Sequence, residues 1–187
     1  MIHYAYTEHP IEILRGLVDA IRLIFQGDTG LIEIVLLSLQ VSAAALLLAT
    51  IVGIPLGAAL GLGRFPGRKL LVVLMYTGMG FPPVVIGLFV YLLLSRSGPL
   101  GSLDWTVVPS LFTPGAMVLA QWIIALPLVA GFTMAAVMGV DPALRQQVLS
   151  LGATGWQTTV TVLAEARVGV IVSVIAGFGG IISEVGA

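Results

Sequence analysis

DPALRQQVLSLGATGWQTTVTVLAEAR, residues 141–167, is the longest polar interruption between two strongly apolar segments, and it is patterned. Asp141-Pro142 is a helix start: Asp can cap, and Pro is tolerated at the first helical position, where its missing N–H needs no partner. Ala143, Leu144, Val148 and Leu151 then recur at helical spacing, with Arg145, Gln146 and Gln147 between them. Gly152 falls where this short helix should stop, because glycine enters the left-handed region without a Cβ clash. A second helical run, Trp156 to Ala166, leads into the next apolar segment. The pattern predicts helix, glycine-centred turn, helix, lying at a membrane surface. A solvated loop would not need Val148, Leu149, Leu151 and Trp156 together, so something is expected to pack on this stretch; an ordinary amphipathic connector is the bland alternative.

The flanking chain is apolar throughout. Hydrophobic residues make up 58% of it and charged residues 9%, with a mean hydropathy of +1.11. A soluble domain is about a quarter charged, so the sequence reads as an all-α integral membrane protein. Its length suits one domain. A formal net charge of −1 argues against a broad basic face and so against a nucleic-acid partner. The sequence has no cysteine, hence no disulfide, thiolate nucleophile or iron–sulfur cluster. The segment MIHYAYTEHPIEIL lacks a basic region followed by an apolar block, so it is not read as a cleaved signal peptide.

Residues 1–30 form the first expected region. Within it, Glu12, Arg15, Asp19 and Arg22 share one helical face while Ile11, Leu14, Val18, Ile21 and Phe25 share the other. This is either a helix in the interface plane or a surface helix packed on the bundle. Residues 31–187 form the membrane domain, with spans expected at about 34–62, 70–95, 114–138 and 168–187. The first is uncharged from Ile34 to Gly63. At about 1.5 Å per residue it would run about 45 Å, longer than the hydrocarbon core, so it tilts, protrudes or bends, with Pro55 the expected bend. Gly53, Gly57 and Gly61 repeat every fourth residue, which lets another helix approach closely. Gln40 and Ser42 are modestly polar within it.

The loop RFPGRK that comes next carries Arg64, Arg68 and Lys69 and no acid. By the positive-inside rule it is cytoplasmic, which puts the N-terminus outside and residues 141–167 inside. The second span is crowded with Gly78, Gly80, Pro82, Pro83 and Gly87. Two readings fit: a discontinuous helix whose freed backbone groups line a protein or water cavity, or a simple proline kink. In the third span, Pro127 interrupts and Gln121 suits a helix–helix hydrogen bond. In the fourth, Glu184 is an acid in an apolar run, which usually faces a bundle interior or cavity.

Several of these stretches also carry a family resemblance. The run RQQVLSLGATGWQTTVTVLAEAR resembles the EAA loop of importer-type ABC transporter permeases, in which Glu-Ala-Ala, three residues, then Gly-Ala form a coupling helix. Gly152-Ala153 matches the Gly-Ala half; Gln146, Gln147 and Val148 stand at the Glu-Ala-Ala positions. VGIPLG (52–57), RFPGR (64–68), TGMGFPPVVIG (77–87), SRSGPLG (95–101), Leu151–Ala153 and ISEVGA (182–187), in that order, resemble the tungstate-type oxyanion permeases, relatives of the molybdate and sulfate permeases. Such permeases continue past ISEVGA, so the chain is expected to be truncated at its C-terminus.

The resemblance implies a helix bundle of the type I ABC importer permease kind, forming a homodimer in the inner membrane. Each half would dock a cytoplasmic ATPase through Arg145, Gln146, Gln147, Leu151, Gly152 and Ala153. A separate binding protein would deliver the oxyanion outside, and Thr77, Gly80, Pro82, Pro83 and Glu184 would line its path. The chain itself would be non-catalytic and would bind no metal or cofactor, ATP and Mg being used by the partner. Consistently, the sequence has no GxxxxGK[ST] or HExxH, and its histidines are His3 and His9. A rival class is an ATP-independent channel or secondary transporter subunit. The several intramembrane charges that usually mark one are missing, as is the nucleophile or metal set of an intramembrane enzyme.

Overall fold

The computed structural model describes residues 29–102 and 108–183, and among these the regular structure is all helix. The elements are α1 (Thr29–Leu62), α2 (Arg68–Met79), α3 (Pro83–Leu94), α4 (Pro114–Met138), α5 (Pro142–Ser150), α6 (Gly155–Glu165) and α7 (Arg167–Ile182). The chain divides into two units at Gln40. The first contributes residues 29–40 of α1; the helix bundle belongs to the second, from Val41 onward. The amphipathic segment at 11–26 and Glu184 lie outside the described residues.

Helix α4 is the centre on which the others pack, and small residues make that possible. A Cβ at Gly53 would stand 2.9 Å from Val129 Cγ1, one at Gly57 would run into the Ala130 carbonyl, and one at Gly61 would stand 3.0 Å from Val137 Cγ1. The contacts advance four residues at a time on both helices, so α1 and α4 run parallel with their backbones almost touching. Small residues at this spacing are what lets two helix backbones approach so closely. Helix α7 meets α4 in the opposite sense: Gly169 lies against Ala136, Gly177 against Val129, and Gly180 against Leu128. Ala45, Ala49, Ala125, Val129 and Ile181 form the buried cluster where the three helices meet. Within this packing the hydroxyls of Thr133 and Ser173 hydrogen-bond at 2.9 Å, fully buried.

Prolines act differently by context. Pro55 and Pro127 each cost one backbone bond, yet α1 and α4 continue through them as single helices. The expected bend at Pro55 therefore does not end the helix. Pro82-Pro83 removes two successive donors beside Gly78 and Gly80, and there the helix breaks: α2 and α3 are bent by 110°. The helix is thus interrupted within the region expected as the second span. The two halves are held separately. Gly78 of α2 faces Pro127, and Gly131 takes Met79; Ile86, Val90 and Leu94 of α3 pack with Ala116, Leu119 and Ile123 of α4.

Among the described residues, two helices, α1 and α4, are each long and apolar enough to cross a membrane, and the bent pairs α2–α3 and α6–α7 bring that number to as many as four. Apolar side chains also cover the outside. Leu70, Val73, Leu88, Leu92, Ile171 and Ile175 are all exposed. Such a surface is a liability in water and natural in lipid.

Candidate functional site

Helices α5 and α6 form the helix, glycine-centred turn and helix expected from residues 141–167, and local side-chain and backbone bonds close both ends of α5 and the start of α6. Asp141 caps α5, its Oδ1 accepting from the Ala143 N–H at 2.8 Å, and Pro142 sits at the first helical position. At the other end Gly152 is left-handed, with φ of 85°. Its N–H donates to the Leu149 carbonyl at 3.0 Å and that of Ala153 to the Val148 carbonyl at 3.3 Å. These paired bonds are a Schellman motif, which answers carbonyls that a helix end would otherwise orphan. The Gly-Ala pair is thus the stop of the helix, and no atom lies within 4 Å of where a Gly152 Cβ would stand. Glycine is required there by backbone conformation, not by crowding.

Helix α6 begins one residue before Trp156, because Thr154 and Gln157 form a reciprocal capping box. Thr154 N–H donates to Gln157 Oε1 at 2.8 Å, and Gln157 N–H donates to Thr154 Oγ1 at 3.3 Å. The Thr-x-x-Gln spacing was there to be read in the sequence. Val162 and Ala166 then anchor the hairpin against Val137 of α4, with Leu62 of α1 alongside.

The hairpin's outer surface is apolar where a solvated loop would be polar. Leu151 is 87% exposed and Trp156 75%, with Leu149 and Val160 each about half so. Gln146 and Gln147 are exposed beside them, and Ala153 is half-buried. Exposed amide groups therefore stand beside large exposed apolar side chains on this surface. Arg145 is exposed on the same helix, and its Nη1 donates to the Leu62 carbonyl at 3.2 Å. Arg68 Nε donates to the Leu60 carbonyl at 2.6 Å. Two cations therefore sit at the negative end of α1, where the helix dipole favours them. The same bonds place the hairpin and the RFPGRK loop at one end of the bundle. Neither bond was legible in the sequence, since nothing local links residues so far apart.

Of the second set of expected residues, Thr77, Gly80, Pro82 and Pro83 lie at the α2–α3 break, while Glu184 is outside the described residues. Gly80 N–H donates to the Thr77 carbonyl at 3.0 Å, and Pro82 and Pro83 open α3 without a side-chain cap. Thr77, Gly80 and Pro82 are exposed and Pro83 is half-buried. In the crook of the break lies a hollow of about 370 Å³ lined by apolar side chains, among them Leu74, Phe81, Phe89, Ile123 and Pro127. Its Gly78 and Pro127 are the residues that bring α2 against α4. Elsewhere in the core, Ser42 Oγ, Gln121 Oε1 and Trp122 Nε1 are buried without a hydrogen-bond partner among the described residues. Gln121 thus does not make the helix–helix bond through Oε1 that its position suggested.

Comparison with known proteins bears on this geometry. The family described as "binding-protein-dependent transport system inner membrane component" matches residues 53–186. The chain is 42% identical over 159 residues to a "probable anion ABC transporter permease protein" of Haloferax volcanii, covering 85% of this chain and 66% of that one. It is 33% identical over 175 residues to the "tungstate uptake system permease protein TupB" of Peptoclostridium acidaminophilum, covering 94% and 75% respectively. With the "molybdenum transport system permease protein ModB" of Escherichia coli K12, identity is 32% over 158 residues, 83% of this chain and 69% of the relative.

Proposed function

Because this chain belongs to the family of binding-protein-dependent transport system inner membrane components, we propose that it is the membrane-spanning permease subunit of an ATP-driven oxyanion importer, with tungstate the first candidate cargo. The observation that carries the reading is the self-closed α5–α6 hairpin with Leu151 and Trp156 exposed. It hangs at the same end of the bundle as Arg64, Arg68 and Lys69. A loop rich in cations belongs on the cytoplasmic side, and an ATPase is met there. On the same rule the N-terminus lies outside.

In this reading the hairpin docks a cytoplasmic ATPase, with Gln146, Gln147, Leu151, Gly152 and Ala153 at the contact. Arg145 holds the hairpin to α1. The chain does no chemistry and holds no cofactor; ATP and Mg are used by the ATPase, and a binding protein outside supplies the anion. Two copies form the path. The α2–α3 break is the part of each copy best suited to line it, since irregular backbone at membrane depth is stable only where protein or water satisfies it. Thr77, Gly80, Pro82 and Pro83 are the residues concerned, with Glu184 assigned from sequence alone. Molybdate is the alternative cargo, supported by the 32% identity to a molybdenum transport permease; sulfate, a third tetrahedral dianion, comes after it.

The test is uptake by cells carrying the chain with its ATPase and binding protein, offered tungstate, molybdate and sulfate together. Tungsten accumulation that vanishes with an ATPase-dead partner supports the proposal. Accumulation of another oxyanion keeps the importer and changes the cargo. Uptake indifferent to the ATPase returns the chain to the channel or secondary-transporter class.

A further inference from the structure

The RFPGRK loop carries more positive charge than the fold uses. The terminal carbonyls of α1 are answered by Arg68 through Leu60 and by Arg145 through Leu62. Arg64 and Lys69 are exposed, and among the described residues neither forms an ion pair or a side-chain hydrogen bond. Residues 64–69 enclose an open hollow of about 520 Å³. Gly67, with φ of 86°, turns the chain there. Helix α2 then starts without a side-chain cap and without an acid in its first turn, so its positive end adds to the same field. Directly beyond the cations, Leu70, Val73 and Leu74 of α2 are exposed at helical spacing, and Phe65 is exposed within the loop itself. A cationic hollow at the head of an apolar helical stripe matches one chemical class, an anion joined to a long apolar tail.

We propose that Arg64 and Lys69, with the free end of the Arg68 guanidinium, bind the phosphate of an anionic phospholipid whose acyl chain lies along Leu70, Val73 and Leu74 of α2. The proposal rests on the membrane reading of the chain and is independent of what the chain transports. Each basic residue near a membrane surface favours anionic lipid measurably, and two or three together give a selectivity of roughly tenfold or more. Arg64 and Lys69 are the side chains to change, since Arg68 also holds the end of α1.

The test is native mass spectrometry of the purified full-length chain, given equal amounts of phosphatidylglycerol and phosphatidylcholine. Phosphatidylglycerol should be retained roughly tenfold over phosphatidylcholine. The R64A/K69A variant should bring the ratio close to one, and R64K/K69R should keep it. If R64A/K69A does not accumulate, R64A and K69A singly are each expected to lower the ratio by about threefold. Equal retention of the two lipids by the unmodified chain overturns the proposal, as does unchanged selectivity in the neutralised variants. Displacement of the lipid by millimolar inorganic phosphate would also overturn it, identifying a free-anion site. None of these readouts involves uptake, so failure here leaves the transport reading standing.

Discussion

Arg145 Nη1 donates to the carbonyl oxygen of Leu62 at 3.2 Å, joining the first turns of α5 to the last turn of α1 across 83 residues of sequence. Leu62 in turn packs beside Val137, Val162 and Ala166, where α4 and α6 meet. One guanidinium therefore sits at the junction of the hairpin, the parallel helix pair and the end of a helix dipole. The bond is exposed, so its contribution to stability is about 1 kcal/mol or less. Its larger consequence is positional.

Substituting Arg145→Ala should lower ATPase-dependent uptake several-fold while leaving membrane insertion and the helical content unchanged. Arg145→Lys should restore part of it, because an ammonium at that site still favours the carbonyl end of α1. Transport assays on membranes with matched amounts of each variant decide the matter. Full uptake by the alanine variant would show that the hairpin is held by α6 packing alone.

At Gly152 the required quantity is a backbone angle. Gly152→Ala is expected to cost about 1–2 kcal/mol locally, from forcing a Cβ into the left-handed region, and Gly152→Asn less, because asparagine tolerates it. Gly152→Asp should reduce both uptake and ATPase stimulation with insertion intact, as it also puts an acid on the docking surface. Hydrogen exchange over residues 148–153 reports the turn separately from the docking. Normal transport by the aspartate variant would remove Gly152 from the contact.

Gly57 tests the helix core. An alanine there would meet the Ala130 carbonyl and Thr133 Cβ, the latter at 2.8 Å, so α1 and α4 must separate. Gly57→Ala should destabilise the bundle by about 1–3 kcal/mol, lowering the thermal midpoint in detergent. Gly87→Ala, in open space, serves as the control and should leave that midpoint unchanged or slightly raised.

The Thr133–Ser173 hydrogen bond is the one side-chain pair that links α4 to α7 in the buried core among the described residues. A double-mutant cycle with Thr133→Val and Ser173→Ala should give a coupling of about 0.6 kcal/mol, and not above about 1.7 kcal/mol. Each single variant leaves its partner hydroxyl in the interior. Ser173 retains the Val170 carbonyl at 2.7 Å, so Thr133→Val should be the milder of the two. Zero coupling would mean that the two hydroxyls meet without stabilising the helix pair.

What could be read from the sequence was local chemistry at a fixed spacing. Asp141-Pro142 and Gly152 gave the limits of α5 because caps and left-handed turns are decided within a few residues. Gly53, Gly57 and Gly61 announced a close helix partner, yet nothing in them named α4 as that partner or said that the two run parallel. At TGMGFPPVVIG the residues allowed both a kink and a break; the 110° angle comes from how Gly78 and Met79 seat against Pro127 and Gly131, contacts made by distant sequence. Arg145 shows the limit most clearly. The resemblance assigned it to a partner, and nothing local tied its exposed side chain to the Leu62 carbonyl 83 residues away.

Because Asp141, Gly152, Thr154 and Gln157 close both ends of α5 and the start of α6 from within, the proposed docking would meet an element held by its own caps. A partner that meets a preformed ridge surrenders little conformational freedom on contact. Variation in Leu151 or Trp156 should then be felt as a change in residence time, with the rate of encounter left almost as it was.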